Sequence, residues 1–131
     1  MASRVEVRAR WGAGVVIWNW VADASGTVTI PTADPVFGRL ARVEIDPGSP
    51  APTASYGIVI NDEQGVDVLN GDGAALSATV TAAFVLQEHD QGGSAEHTGE
   101  MVVADVLSLV VSAAGAAAEG VVKLYYEYQP A

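Results

Sequence analysis

A chain of 131 residues, with 16 acidic against 6 basic residues, no cysteine and 7% aromatic content, suits one domain spanning residues 1–131 with a core of its own. The lack of Cys excludes disulfide frameworks, thiolate metal sites and cysteine nucleophiles. A net charge of −10 argues against binding to nucleic-acid phosphates.

Val, Ala, Leu and Ile supply most of the apolar residues, and 14 Gly with 6 Pro favour strands and tight turns over long helices. At the amino terminus Arg4, Arg8 and Arg10 precede the apolar run 15–18, and Ala22-Asp23-Ala24 mimics a leader-peptide cleavage site. Strand patterning is the better reading, because Val5, Val7 and Ala9 alternate with Glu6, Arg8 and Arg10. A first strand is therefore predicted over residues 5–10, a turn over 11–14 and a second strand over 15–22. On that second strand Val16, Trp18, Trp20 and Ala22 share one face, and Val15, Ile17, Asn19 and Val21 the other. With both faces largely apolar, it should be central in a sheet or lie at a subunit contact. No run approaches the roughly 20 apolar residues that cross a bilayer as a helix, so no membrane partner is expected.

Asp23-Ala24-Ser25-Gly26 supplies turn chemistry, and residues 27–30 complete a predicted hairpin. A loop follows over 31–38. Residues 39–46 then alternate, with Ala41, Val43 and Ile45 inward and Arg42, Glu44 and Asp46 outward. The three prolines between Pro47 and Thr53 remove backbone donors, so that stretch should cross between sheets or reach over a neighbour. Residues 56–61 are predicted as a strand with Tyr56, Ile58 and Ile60 on one face, turning at Asp62-Glu63-Gln64-Gly65 into a return strand over 66–69. Residues 74–87 read as loop then strand, and residues 88–100 as a polar, exposed excursion. A strand over 106–111 places Leu107, Leu109 and Val111 together. The small-residue run 113–118 is a loop, because it is too short for a stable free helix. Residues 121–128 close the chain, with Val122, Leu124, Tyr126 and Tyr128 opposite Lys123, Tyr125 and Glu127. Eight or nine short strands at this spacing predict an all-β fold, an antiparallel β-sandwich or flattened β-barrel.

Reactive chemistry is sparse. His89 and His97, with Glu88, Asp90, Glu96 and Glu100, offer nitrogen and oxygen ligands within one loop. A solvated polar loop explains them more simply. Asp62, Glu63, Asp67, Asn70 and Asp72 carry the oxygens calcium prefers, without EF-hand spacing. Asp and Asn at such positions ordinarily serve turns. No serine sits in a Gly-x-Ser-x-Gly elbow, no glycine cluster forms a phosphate cradle, and no cofactor is implied. No catalytic, cofactor or metal residue is assigned. Trp11, Trp18, Trp20, Tyr125, Tyr126 and Tyr128 could stack on a sugar, but they are also what a core and a subunit interface need. Tyr125 points opposite to its neighbours and is a candidate interface anchor.

Two stretches carry a resemblance. Residues 56–71, Tyr-Gly-Ile-Val-Ile-Asn-Asp-Glu-Gln-Gly-Val-Asp-Val-Leu-Asn-Gly, preceded by the 47–53 proline stretch, resemble a segment of small virion structural proteins of tailed bacteriophages. Residues 111–115 and 120–126 are similar to the closing hairpin of the same family. Together they cover about half the chain, and the excursion at 88–100 is longer than the family pattern. The resemblance implies a capsid decoration protein, a homotrimer on the outside of the major capsid protein shell, assembled in the host cytoplasm. A neck, tail or baseplate component and a carbohydrate- or receptor-binding module are the alternatives. An enzyme is not expected.

Overall fold

A computed structural model describes residues 3–86, 88–89, 98–99 and 101–127. The architecture is all-β. Nine strands form two antiparallel sheets, with a two-stranded ribbon beside them and no closed barrel. Among the described residues there is no helix, so none is long and apolar enough to cross a membrane.

The large sheet contains β1 (Arg4–Arg10), β2 (Ala13–Val21), β4 (Val36–Pro47), β6 (Ala82–Val85), β9 (Met101–Asp105) and β11 (Glu119–Glu127). Its order is β1-β2-β11-β4, with β6 and β9 both pairing along the free side of β4. The small sheet is β3 (Val28–Pro31), β10 (Ser108–Ser112) and β5 (Gly57–Asn61), in the order β3-β10-β5. The ribbon pairs β7 (Glu88–His89) with β8 (Thr98–Gly99).

Period-two alternation explains the packing. Val16, Trp18 and Trp20 from β2, Val43 and Ile45 from β4, and Val122, Leu124 and Tyr126 from β11 face the small sheet and are buried. From the other side come Ile58, Ile60, Leu109 and Val111, also buried. Trp18 ties the layers together, because its indole Nε1–H donates to the Ile30 carbonyl at 3.0 Å. Leu69, Leu76, Leu107, Ala114 and Ala118 close the ends of the same core.

Several sequence expectations need correction. The first turn is only Trp11-Gly12, because Ala13 already pairs with Arg10. Residues 23–27 do not return a hairpin strand to β2. The chain crosses to the other sheet, where β3 pairs with β10. The strand predicted over 39–46 begins earlier, at Val36, and Ala41 is a bulge residue: Tyr125 pairs with Arg42, and Tyr126 with Leu40. Leu40 thereby takes the inward position expected for Ala41. The expected return strand at 66–69 does not form. Asp67 captures the backbone amides of Ile60, Leu69 and Gly71, so the chain coils through turns and β5 pairs with β10 instead. The strand expected over 106–111 starts at Ser108, and β9 before it was not anticipated.

Other expectations fit. Residues 47–53 do lead from the large sheet to the small one, and residues 113–118 form turns. The polar excursion expected over 88–100 lies mostly outside the described residues; on either side of it β6 ends opposite Arg42 and β9 begins opposite Leu40.

Candidate functional site

The outer face of the large sheet is defined by its register. Arg4, Glu6, Arg8 and Arg10 stand opposite Asn19, Ile17, Val15 and Ala13. Those in turn oppose Val121, Lys123, Tyr125 and Glu127. Next come Asp46, Glu44, Arg42 and Arg39, and finally Ala83, Val85, Val102 and Ala104 on the edge. All six Lys and Arg residues of the chain therefore lie on this one face. The bulge at Ala41 is what keeps Arg39 and Arg42 on the same side.

Five acids share the face: Glu6, Glu44, Asp46, Glu119 and Glu127. The described acids elsewhere, Asp23, Asp34, Asp62, Glu63, Asp67, Asp72, Glu88 and Asp105, have no Lys or Arg among them. One face is close to charge balance while the rest of the molecule is strongly negative.

Apolar side chains run between the charges. Val15, Ile17, Val21 and Val121 are half-buried, sheltered only by neighbours in the sheet. Phe37 on β4 and Val85 and Val102 on the edge are 60%, 72% and 68% exposed. At the centre, the Tyr125 hydroxyl donates to Glu44 Oε2 at 2.7 Å. Arg42 lies over the Tyr125 ring at 5.2 Å and pairs with Glu44 at 3.4 Å. The hydrogen bond to the Glu44 carboxylate, then burial, push the Tyr125 phenol pKa above its ordinary value. Arg39 pairs with Glu127 and Arg8 with Glu6. This network holds long side chains flat on the sheet, which suits a contact surface better than a reactive cleft.

At the lower end of the face the Trp11-Gly12 turn projects. Both residues have positive φ, 47° and 87°, as a two-residue type I′ turn requires, a conformation for which Asn-Gly is the usual choice. Trp11 is 93% exposed. At the upper end a cleft of about 140 Å³ is lined by Arg4, Asn19, Gly48, Ser49, Glu119 and Gly120, among others.

The aromatic group read from the sequence separates. Trp18, Trp20 and Tyr126 are buried in the core and cannot stack on a ligand. Trp20 packs on Tyr56 at 5.9 Å between ring centroids, and its Nε1–H has no hydrogen-bond partner among the described residues. Trp11 and Tyr125 lie outside the core, and Tyr128 falls outside the described residues.

The polar clusters separate too. Asp62 Oδ1 accepts the amides of Gln64 and Val66, and Glu63 accepts the amide of Val106, so these acids, like Asp67, organise turns. Asp90, Glu96, His97 and Glu100 lie outside the described residues, while Glu88 and His89 form the backbone of β7. No group of three or more His, Asp or Glu suited to a metal ion occurs among the described residues. The signal that sequence reasoning missed was the positioning of every cation on one face, which only strand register reveals.

No protein-family model, no curated protein and no solved structure matches the chain.

Proposed function

We propose that this chain is a virion structural protein of a tailed bacteriophage: a capsid decoration protein that adheres to the outside of the major capsid shell through the outer face of its large sheet. The supporting observation is the segregation of charge. All six cations share an uncovered sheet face with half-buried Val and Ile side chains and with exposed Phe37, Val85 and Val102. Such a face buries apolar area on contact while its Arg and Lys side chains find acidic partners. The acidic remainder repels other copies approaching in unproductive orientations and keeps free subunits soluble.

The mechanism is adhesion. Each copy contributes a modest interface, and linked copies bind a multivalent shell far more tightly than one copy alone. The resemblance of residues 56–71, 111–115 and 120–126 to small phage structural proteins supplies the virion setting.

The experiment is to add purified chain to expanded heads that lack it and to count bound copies per particle. Many copies spread over the head surface are expected. Recovery only in tails, or a single ring's worth of copies at the neck, would replace this reading with the tail or neck one.

A further inference from the structure

We infer that the Trp11 turn of one copy seats on the acidic 62–67 loop of a second copy, joining chains head to tail in a closed ring. This deepens the reading above, since it rests on the chain being an assembly subunit but not on which shell receives it.

The donor side is the β1–β2 tip. Trp11 is 93% exposed and held at a φ of 47°, a conformation that costs a residue with a Cβ and is ordinarily left to Gly or Asn. Folding gains nothing from this indole, because it touches little of its own chain. On the inward face of β1, Val7 is 47% exposed and Ala9 is exposed, so the end of the hairpin extends past the cover of the small sheet. Arg10 forms no ion pair among the described residues, and Arg8 has only its exposed neighbour Glu6. The tip is an aromatic anchor with Arg8 and Arg10 on the strand that leads into it.

The receiving side has the opposite character. Val66, 56% exposed, sits among Asp62, Glu63 and Asp67. No Lys or Arg occurs between Arg42 and Lys123, so nothing nearby in sequence neutralises these carboxylates. Their bonds to the backbone amides of Gln64, Val66, Val106, Ile60, Leu69 and Gly71 fix the loop before a partner arrives. Preorganisation of that kind lowers the ordering cost of binding.

Position decides between a contact within one chain and a contact between two. β3 lies over β1 and β2, so β5, at the far edge of β3-β10-β5, is on the side away from the tip. Tip and loop are nevertheless at the same end, because Asn61 pairs with Ser108, which pairs with Pro31, next to the start of β4. Complementary patches on opposite flanks at one level can close a ring by rotation. A single chain thus supplies both halves of the joint, in apolar centre and in charge.

The test is the mass of the free full-length chain in solution, by sedimentation at low and high salt, for wild type, Trp11→Asn, Arg10→Glu, Glu63→Arg and the double variant Arg10→Glu/Glu63→Arg. Wild type should form a closed oligomer of the 13.5 kDa chain that loosens as salt rises. Trp11→Asn, which suits the turn and keeps the fold, should weaken self-association about 30-fold or more. Each single charge reversal should weaken it, and the double variant should recover most of the loss. A wild-type chain that stays monomeric, or a Trp11→Asn chain that associates as tightly as wild type, overturns the inference. A monomer that still decorates heads overturns this joint and leaves the adhesion reading standing. An oligomer that ignores heads does the reverse.

Discussion

At the scale of single residues, two positions show how much the fold demands of small changes. Gly120 lies flat under the indole of Trp20, and a Cβ there would overlap the ring. Trp20 is 1% exposed and wedged against Tyr56, so it cannot swing aside. Gly120→Ala is therefore expected to destabilise the fold by about 1–3 kcal/mol, read as a lower denaturant midpoint with an unchanged slope. Trp11 is expected to act in the opposite sense. Because Asn accepts the left-handed turn that Trp resists, Trp11→Asn should raise stability by up to about 1 kcal/mol while it weakens association. A stabilising change that costs binding marks a residue retained for contact rather than for folding.

Tyr125 gives a pH-dependent readout at the same scale. Its hydrogen bond to Glu44, then burial, raise the phenol pKa, so the folded state favours the neutral form. The stabilisation is fully present below the ordinary tyrosine value of about 10 and is lost as pH rises through the raised one. Glu44→Gln removes the carboxylate acceptor and its charge. The Tyr125 phenol should then ionise at lower pH in an ultraviolet absorbance titration, and an unchanged titration would show that Glu44 is not the cause.

At the scale of elements, alternation was legible wherever one face is buried. β11 and β10 keep the expected inward residues, Val122, Leu124 and Tyr126 on one and Leu109 and Val111 on the other, though their ends shift, since a strand pinned by a core leaves a period-two signature. Connections were less legible, because turn residues announce that the chain bends and not which sheet it joins. Asp23 illustrates this. Its carboxylate accepts the amides of Thr27 and Ser25, which lowers its pKa, yet the strand beyond pairs with β10 rather than β2.

Asp67 misled differently. Its place in a Val-Asp-Val alternation suggests a strand, but its oxygens capture three backbone amides and wind the chain into turns. Asp67→Ala should release that loop and cost about 2 kcal/mol, with faster amide exchange at Leu69 and Gly71 as the local check. The proposed docking face was partly written in the sequence, since Arg4, Arg8 and Arg10 fall on even-numbered positions of one strand. Its other half was not, because Arg39 and Arg42 share a side only through the bulge at Ala41.

At the scale of the whole molecule, the distribution of charge matters more than its total. A net charge of −10 suggests uniform repulsion, whereas the molecule is two-sided: a balanced, partly apolar sheet face and an acidic remainder. Binding through the balanced face should fall with ionic strength, but less steeply than for a purely electrostatic contact, because Val15, Ile17, Val85 and Val102 contribute apolar burial that salt does not screen. The small sheet offers an internal control, since Thr29 on it is exposed and its three strands carry no Lys or Arg.

The chain's lack of cysteine permits the most direct measurement of the proposed adhesive face. Val102→Cys and Lys123→Cys on the large sheet, and Thr29→Cys on the small one, each introduce a single thiol whose labelling rate can be compared in free protein and in assembled particles. The two large-sheet thiols should react in the free chain and be protected in the particle, while the thiol at position 29 reacts in both. Equal labelling of positions 102 and 123 in the two states would contradict the account.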